Sequence, residues 1–320
     1  MPREVSHWHY GTEALKKVRS LYSLMSQSKE LEAAFMLGAI THDSAYFNLS
    51  PKESGNNVAE FLHGKSGEDT FLLPRMLLSS VKNLDMPRRR LVQFFSLGLL
   101  SHILLDSGAH PLIYQITGDY YHKELSERTK ARIAHRNLET ILEFHVMKNI
   151  GSPYSDWSII KLLNNLPTNS KYFLSWIISE NLNKTNSGLK LTNESFMTFW
   201  KYHALTHYLF SSKYSSNLVR KLPLLPKSIR VLAHYPLHEL TNSLEKSFLI
   251  DNKKNSILSA CNSGLTEMQT LFERLEECLH NPGKPELPLE IWGPSLNTGI
   301  PKKGLPSGPF EPYSGFYVIT

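Results

Sequence analysis

The sequence predicts an all-α fold, a single multi-helix domain over residues 1–280 followed by a Pro/Gly-rich extended tail over 281–320. Three observations carry that prediction. Apolar residues recur near the 3.6-residue helical period in almost every patterned segment, alternation of the strand kind is scarce, and beyond Asn281 the period disappears into proline and glycine. A chain of 320 residues, 41% apolar and 20% charged, can bury a full core without a covalent staple. Two cysteines, Cys261 and Cys278, supply neither a disulfide framework nor a thiolate metal site, so any metal must use histidine and carboxylate ligands. The formal charge of +6 fits a phosphate-bearing substrate or an anionic surface, and equally a well-solvated basic exterior.

The elements follow in order. Leu15, Val18, Leu21, Tyr22, Leu31, Ala34, Phe35 and Leu37 keep helical spacing between Gly11 and Gly38, broken at the polar patch Ser26–Lys29, which predicts two helices and a turn. Asn, Ser, Pro and Gly punctuate Ala39–Ser66, with a loop expected at Ser50–Asn57. Pro74 and Pro87 bound a helix with the apolar face Leu77, Leu78, Val81 and Leu84. The nearly continuous apolar run from Leu91 to Asp106 suits a buried central helix too short to span a bilayer, ending near Gly108 and Pro111. Ser126 is the expected N-cap of a helix running to Lys148. Helical patterns continue at Ile159–Leu163, Tyr172–Leu182, Glu194–Phe210, Ser216–Leu222 and Ile257–Leu279. The aromatic close Tyr313–Tyr317 favours docking of the tail onto the body. The polar and aromatic start, MPREVSHWHYG, lacks the apolar stretch of a secretory signal, which predicts a cytoplasmic protein with no transmembrane segment, export by a signal-independent route being the alternative.

The chemistry concentrates in His102, Asp106 and His110. At about 100° per residue, positions i, i+4 and i+8 share one helical face, here amid Leu99, Leu100, Ile103, Leu104 and Leu105. Ionisable groups on a buried helix need partners or a metal, because desolvating them alone is expensive. The triplet therefore reads as ligands rather than as a hydrogen-bonded core network. His135 and Glu139 form a second i, i+4 pair, a spacing that by itself more often marks an exposed ion pair. Gly38-Ala-Ile-Thr-His42-Asp43, then His63, and Ser6-His7-Trp8-His9 complete the set. His203 and His207 read as a helix face at a core boundary, His234 and His238 as loop residues, and Tyr46 and Phe47 as core.

In this order the motifs resemble the zinc-dependent phospholipase C family, whose pattern is a hydroxyl residue plus His near the N-terminus, G-A-x-x-x-D, an isolated His, H-x-x-x-D followed by His, and H-x-x-x-E. It is the order of the five, not any one of them, that carries the resemblance, which covers roughly residues 1–145. It implies an all-α protein holding two to three Zn2+ ions, related in fold to zinc-dependent single-strand nucleases. By resemblance, Asp43, His63, His102 and Asp106 would hold one zinc, and His110, His135 and Glu139 a second. His7, the N-terminal amine and Asp106 would hold a third, and Asp43 and Asp106 would carry the catalysis. His9 and His42 are second choices as ligands. The implied activity is hydrolysis of a phospholipid by a zinc-activated hydroxide, giving diacylglycerol and a phosphorylated headgroup, with peripheral contact to a membrane.

Three other functions use parts of the same residue set. A nucleotide or nucleic-acid phosphodiesterase would keep the metals and add stacking aromatics. A phosphohydrolase of the HD type would use His42-Asp43 with His7 and Asp106, leaving His102, His110, His135 and Glu139 idle. A non-catalytic binding protein would hold the metals in closed coordination.

Overall fold

The computed structural model describes residues 4–48, 55–151, 158–211, 253–280 and 292–302. These contain eleven α-helices and no β-strand; an isolated bridge joins Pro294 and Pro301. The chain opens with α1 (Glu4–Lys17), α2 (Arg19–Ser26) and α3 (Lys29–Ser44). Three helices thus stand where periodicity predicts two. The extra break is a single residue, Val18, whose N–H tightens onto the Leu15 carbonyl while its side chain stays buried beside Leu15 and Leu21. A bend that keeps the same face on the core leaves the apolar pattern intact. Ser28 caps α3 by accepting from the Leu31 N–H, with Glu30 and Glu32 in the first turn where the helix dipole favours anions.

α4 (Gly55–Leu62) starts inside the expected loop, because Gly55 abuts the Ala45 carbonyl, where a Cβ would sit 2.2 Å from the oxygen. The rest of that loop, 49–54, lies outside the described residues. α5 (Leu72–Ser80) carries Pro74 in its first turn. α6 (Met86–Thr117) begins with Asp85 accepting from the Arg88 N–H and Pro87 in the first turn, and stops at Gly118, whose φ is 92°.

α6 does not end at Pro111. Proline removes one hydrogen bond to the carbonyl four residues back, but the turn beyond it buries Ile113 and Tyr114, and packing carries the helix to Thr117. At 32 residues it is long and apolar enough to cross a membrane, against the expectation of a run too short to do so, yet its apolar window is wholly buried among its neighbours. Residues of α6 belong to both hydrophobic clusters of the core: Val92, Phe95 and Leu99 face one, and Phe94, Leu97 and Ile103 the other.

α7 (Leu125–Ile150) takes Glu124 as its N-cap position, not Ser126. The extended Glu124 supplies the first helical carbonyl, to the Arg128 N–H, and places Ser126 inside the first turn. α8 (Ile159–Asn165), α9 (Thr168–Thr185) and α10 (Ser195–Ser211) close one side of the core, and α11 (Lys253–His280) lies along α6 and α1. Residues 292–302 form a strap over the C-terminal half of α6. Leu296 is buried and donates its N–H to the His63 carbonyl, and Gly299 stands over the Ser107 carbonyl, the one that Pro111 cannot engage. The expected helix at 216–222, the loop histidines 234 and 238 and the aromatic close 313–317 lie outside the described residues.

Candidate metal centre

Two glycines decide how closely α3 and α6 cross. A Cβ on Gly38 would lie 2.1 Å from the Phe95 carbonyl oxygen, and one on Gly98 2.0 Å from that of Phe35. Backbone therefore meets backbone. About one turn beyond this crossing stand Asp43 on α3 and His102 on α6. α1 is drawn in by Trp8, whose indole N–H donates to the Met36 carbonyl at 2.8 Å, and it brings His7 with it. His63 follows α4, and α7 delivers His135 and Glu139.

All eight residues predicted as ligands are buried, none more than 8% exposed as a whole residue, and they fall into three touching groups: His7, His102 and Asp106; Asp43, His63 and His102; His110, His135 and Glu139. Around Asp106, the Nε2 atoms of His7, His102 and His110 lie 3.3, 3.3 and 3.8 Å from its carboxylate oxygens. Asp43 Oδ1 lies 3.2 Å from His63 Nε2 and 3.8 Å from His102 Nε2. His135 Nε2 and Glu139 Oε1 are 2.6 Å apart.

The imidazoles are oriented from behind. His63, His102 and His110 hold their Nδ1 atoms 2.7, 2.8 and 2.7 Å from the carbonyls of Ala59, Ala39 and Leu296. A carbonyl only accepts, so each Nδ1 carries the proton and each Nε2 turns its lone pair toward the carboxylates. In front, hydrogen bonds are missing. His7 Nδ1 and Nε2, His102 Nε2, His110 Nε2, Asp43 Oδ1 and both Asp106 oxygens are buried without one. Buried polar atoms are seldom left so. Imidazole and carboxylate donors around shared gaps are the ligand chemistry of zinc, and the residues fit Zn2+ ions.

Electrostatics agree with that donor state at His7, His110 and His135, and His102 departs from it. Burial lowers the pKa of His7, takes that of His110 to about 3 and holds that of His135 well below its ordinary value, so these rings are neutral donors at pH 7. Burial opposes ionisation of Asp106, but His110, His102 and His7 outweigh it and hold the carboxyl well below its usual range. Asp43 is likewise held down against burial by His102 and His63. His102, against the same desolvation, is raised by Asp106 and Asp43.

Several residues stand elsewhere. His42 is buried and stacks on His102 at 4.6 Å between ring centroids, outside the three ligand groups, and His9 is half-buried on α1 beside Tyr10. His203 bonds Ser44 Oγ and Glu4 Oε1 and stacks on Phe47, so it ties α10 to α3 and α1. Tyr46, expected in the core, is 36% exposed. It lines a cleft of about 80 Å³ together with His63, His110, His135 and Glu139, and with Tyr114, Tyr120, Tyr121, Arg136 and Asn297. Those last five escaped the sequence reading. Arg136 adjoins a predicted ligand and was within reach of it, whereas Asn297 sits in a stretch with no period and gives no local signal.

Among known proteins, the family described as zinc dependent phospholipase C matches residues 6–183. None of the curated proteins and none of the solved structures compared matches the chain. The matched span exceeds half of the 320 residues and contains every side chain of the three buried groups. By fold, by donor chemistry and by that match, the chain belongs to the zinc-dependent phospholipase C family.

Proposed function

We propose that the protein is a zinc-dependent phosphodiester hydrolase acting on a phospholipid at a membrane surface, releasing diacylglycerol and a phosphorylated headgroup. The observation that carries this reading is the placement of His63, His110, His135 and Glu139 in the wall of the cleft. A purely structural site would be sealed, whereas a catalytic one keeps a position open to substrate. When bound, zinc ions supply Lewis-acid polarisation of a phosphoryl oxygen and make water acidic enough to ionise near neutral pH. The chain's own part is to fix the donors. The Ala59, Ala39 and Leu296 carbonyls set three imidazoles, and Asp43, Asp106 and Glu139 bring the anionic charge that gathers cations. The cleft admits the phosphodiester end of the lipid, and its narrowness leaves the acyl chains outside.

The test is hydrolysis of phospholipid vesicles by the purified protein, with its metal content measured by elemental analysis. Turnover that stops on chelation and returns with Zn2+ is the expected result. A zinc-replete protein that cleaves no phospholipid, nucleotide or nitrophenyl phosphodiester overturns the proposal.

A further inference from the structure

Two of the four tyrosines in the cleft wall, Tyr120 and Tyr121, differ from what a choline headgroup needs. Quaternary ammonium ions are held against open aromatic faces. Here the Arg132 guanidinium lies 4.7 Å from the Tyr120 ring centre, and the Lys65 ammonium 5.5 Å from that of Tyr121. Lys65 also pairs with Glu60, at 2.5 Å. Arg136, half-buried, lines the cleft and has no ion-pair partner among the described residues. Asn297 is 2% exposed and accepts from the Tyr114 and Tyr121 hydroxyls through Oδ1, at 2.9 and 3.1 Å. Its Nδ2, with two N–H donors, is buried in the same wall without an acceptor. A buried donor left unpaired is costly in the free protein and is satisfied when a ligand brings an oxygen to it.

We infer that the cleft selects a headgroup rich in oxygen acceptors, a polyol phosphate, with Arg136 and Asn297 Nδ2 as its donors, and that it disfavours trialkylammonium headgroups. The inference rests on the reading of the cleft as the headgroup site. Arg136 supplies N–H donors in a planar, permanently charged fork, from which polyol oxygens can accept and which repels a trialkylammonium. Asn297 reads a neighbouring oxygen, and its link to two tyrosine hydroxyls fixes the carboxamide in place. Arg132 and Lys65 repel a second cation from the two rings they cover.

Binding separates this inference from catalysis. Calorimetric titration of the full-length, zinc-loaded protein with myo-inositol 1-phosphate and with phosphocholine should show the first binding more tightly by about ten-fold or more. Arg136→Gln should close most of that gap, and Arg136→Lys should keep part of it. A melting temperature matched to wild type identifies a folded variant, and if neither Arg136 variant folds, Asn297→Ala serves, with the same narrowing expected. Phosphocholine binding as tightly as the inositol phosphate, or a gap unchanged in the folded variants, overturns the inference. In parallel, vesicles of phosphatidylinositol should give a higher kcat/KM than vesicles of phosphatidylcholine. If neither lipid is cleaved while the binding preference holds, the selectivity stands and the choice of these two lipids as substrates falls.

Discussion

Both oxygens of Asp106 are buried without a hydrogen bond, while three histidines, His7, His102 and His110, face them. That arrangement makes the charge, rather than the shape, of this side chain decisive. Asp106→Asn keeps the shape, so a folded protein that binds fewer ions and turns over at least about 100-fold more slowly is expected. Circular dichroism with elemental analysis and a rate measurement checks it, and full zinc content in the variant would contradict it. His7→Asn should cost less, since His7 touches one of the three groups, whereas Asp106 answers three imidazoles. The same residues set a pH dependence in the metal-free protein. His7, His110 and His135 are depressed by burial, whereas an unfolded histidine titrates near ~6.5. Between about pH 6.5 and 3 the unfolded chain therefore binds more protons, and stability falls on acidification. His102 is raised and acts oppositely, contributing below its unfolded pKa and losing that contribution as pH rises through its folded value. Three depressed rings outweigh one raised ring, so the urea midpoint of the apoprotein should drop from pH 7 to pH 5. A midpoint that rises would refute the assignment.

At the scale of elements, the crossing of α3 and α6 governs the site, because Asp43 and His102 stand one turn beyond it. Gly38→Ala or Gly98→Ala places a methyl against a carbonyl and should destabilise the fold by about 1–3 kcal/mol, with zinc content falling alongside. Thermal melting and elemental analysis read both effects, and an unperturbed Gly98→Ala protein would exclude the crossing as the organiser. The crossing also shows how much was legible beforehand. Helical periodicity gave the all-α class and most elements, and the i, i+4, i+8 spacing put His102, Asp106 and His110 on one face. Gly38 entered as part of a motif, but its reason, a backbone contact with Phe95, belongs to a partner helix some 60 residues away, about the separation of the His102–Ala39 hydrogen bond (63 residues). Pro111 misled for a related reason. Local rules end a helix there, while the burial of Ile113 and Tyr114 that carries α6 onward is a tertiary effect. Tyr114, Tyr120 and Tyr121 were in plain sight as residues but gave no period or motif that marks a cleft wall.

For the whole molecule, ions that bind only the folded state add linkage free energy, about 2.7 kcal/mol for a free concentration 100 times Kd. Chelation should therefore lower the melting temperature, and a metal-free preparation with unchanged melting would count against the centre. The strap should respond as well. Gly299 has φ 70° and stands over Ser107, so Gly299→Val strains the strap where its neighbour Leu296 orients His110. The expected result is loss of about one ion per chain in elemental analysis, from the group of His110, His135 and Glu139. The hydrogen bond from His110 to Leu296 spans 186 residues of sequence. On a ribosome adding roughly 5–20 residues per second, the carbonyl that orients this imidazole is made on the order of ten to forty seconds after the imidazole itself. The nascent chain carries its histidines through that interval with the centre unfinished, so the protein acquires the His110 geometry only after Leu296 has been made.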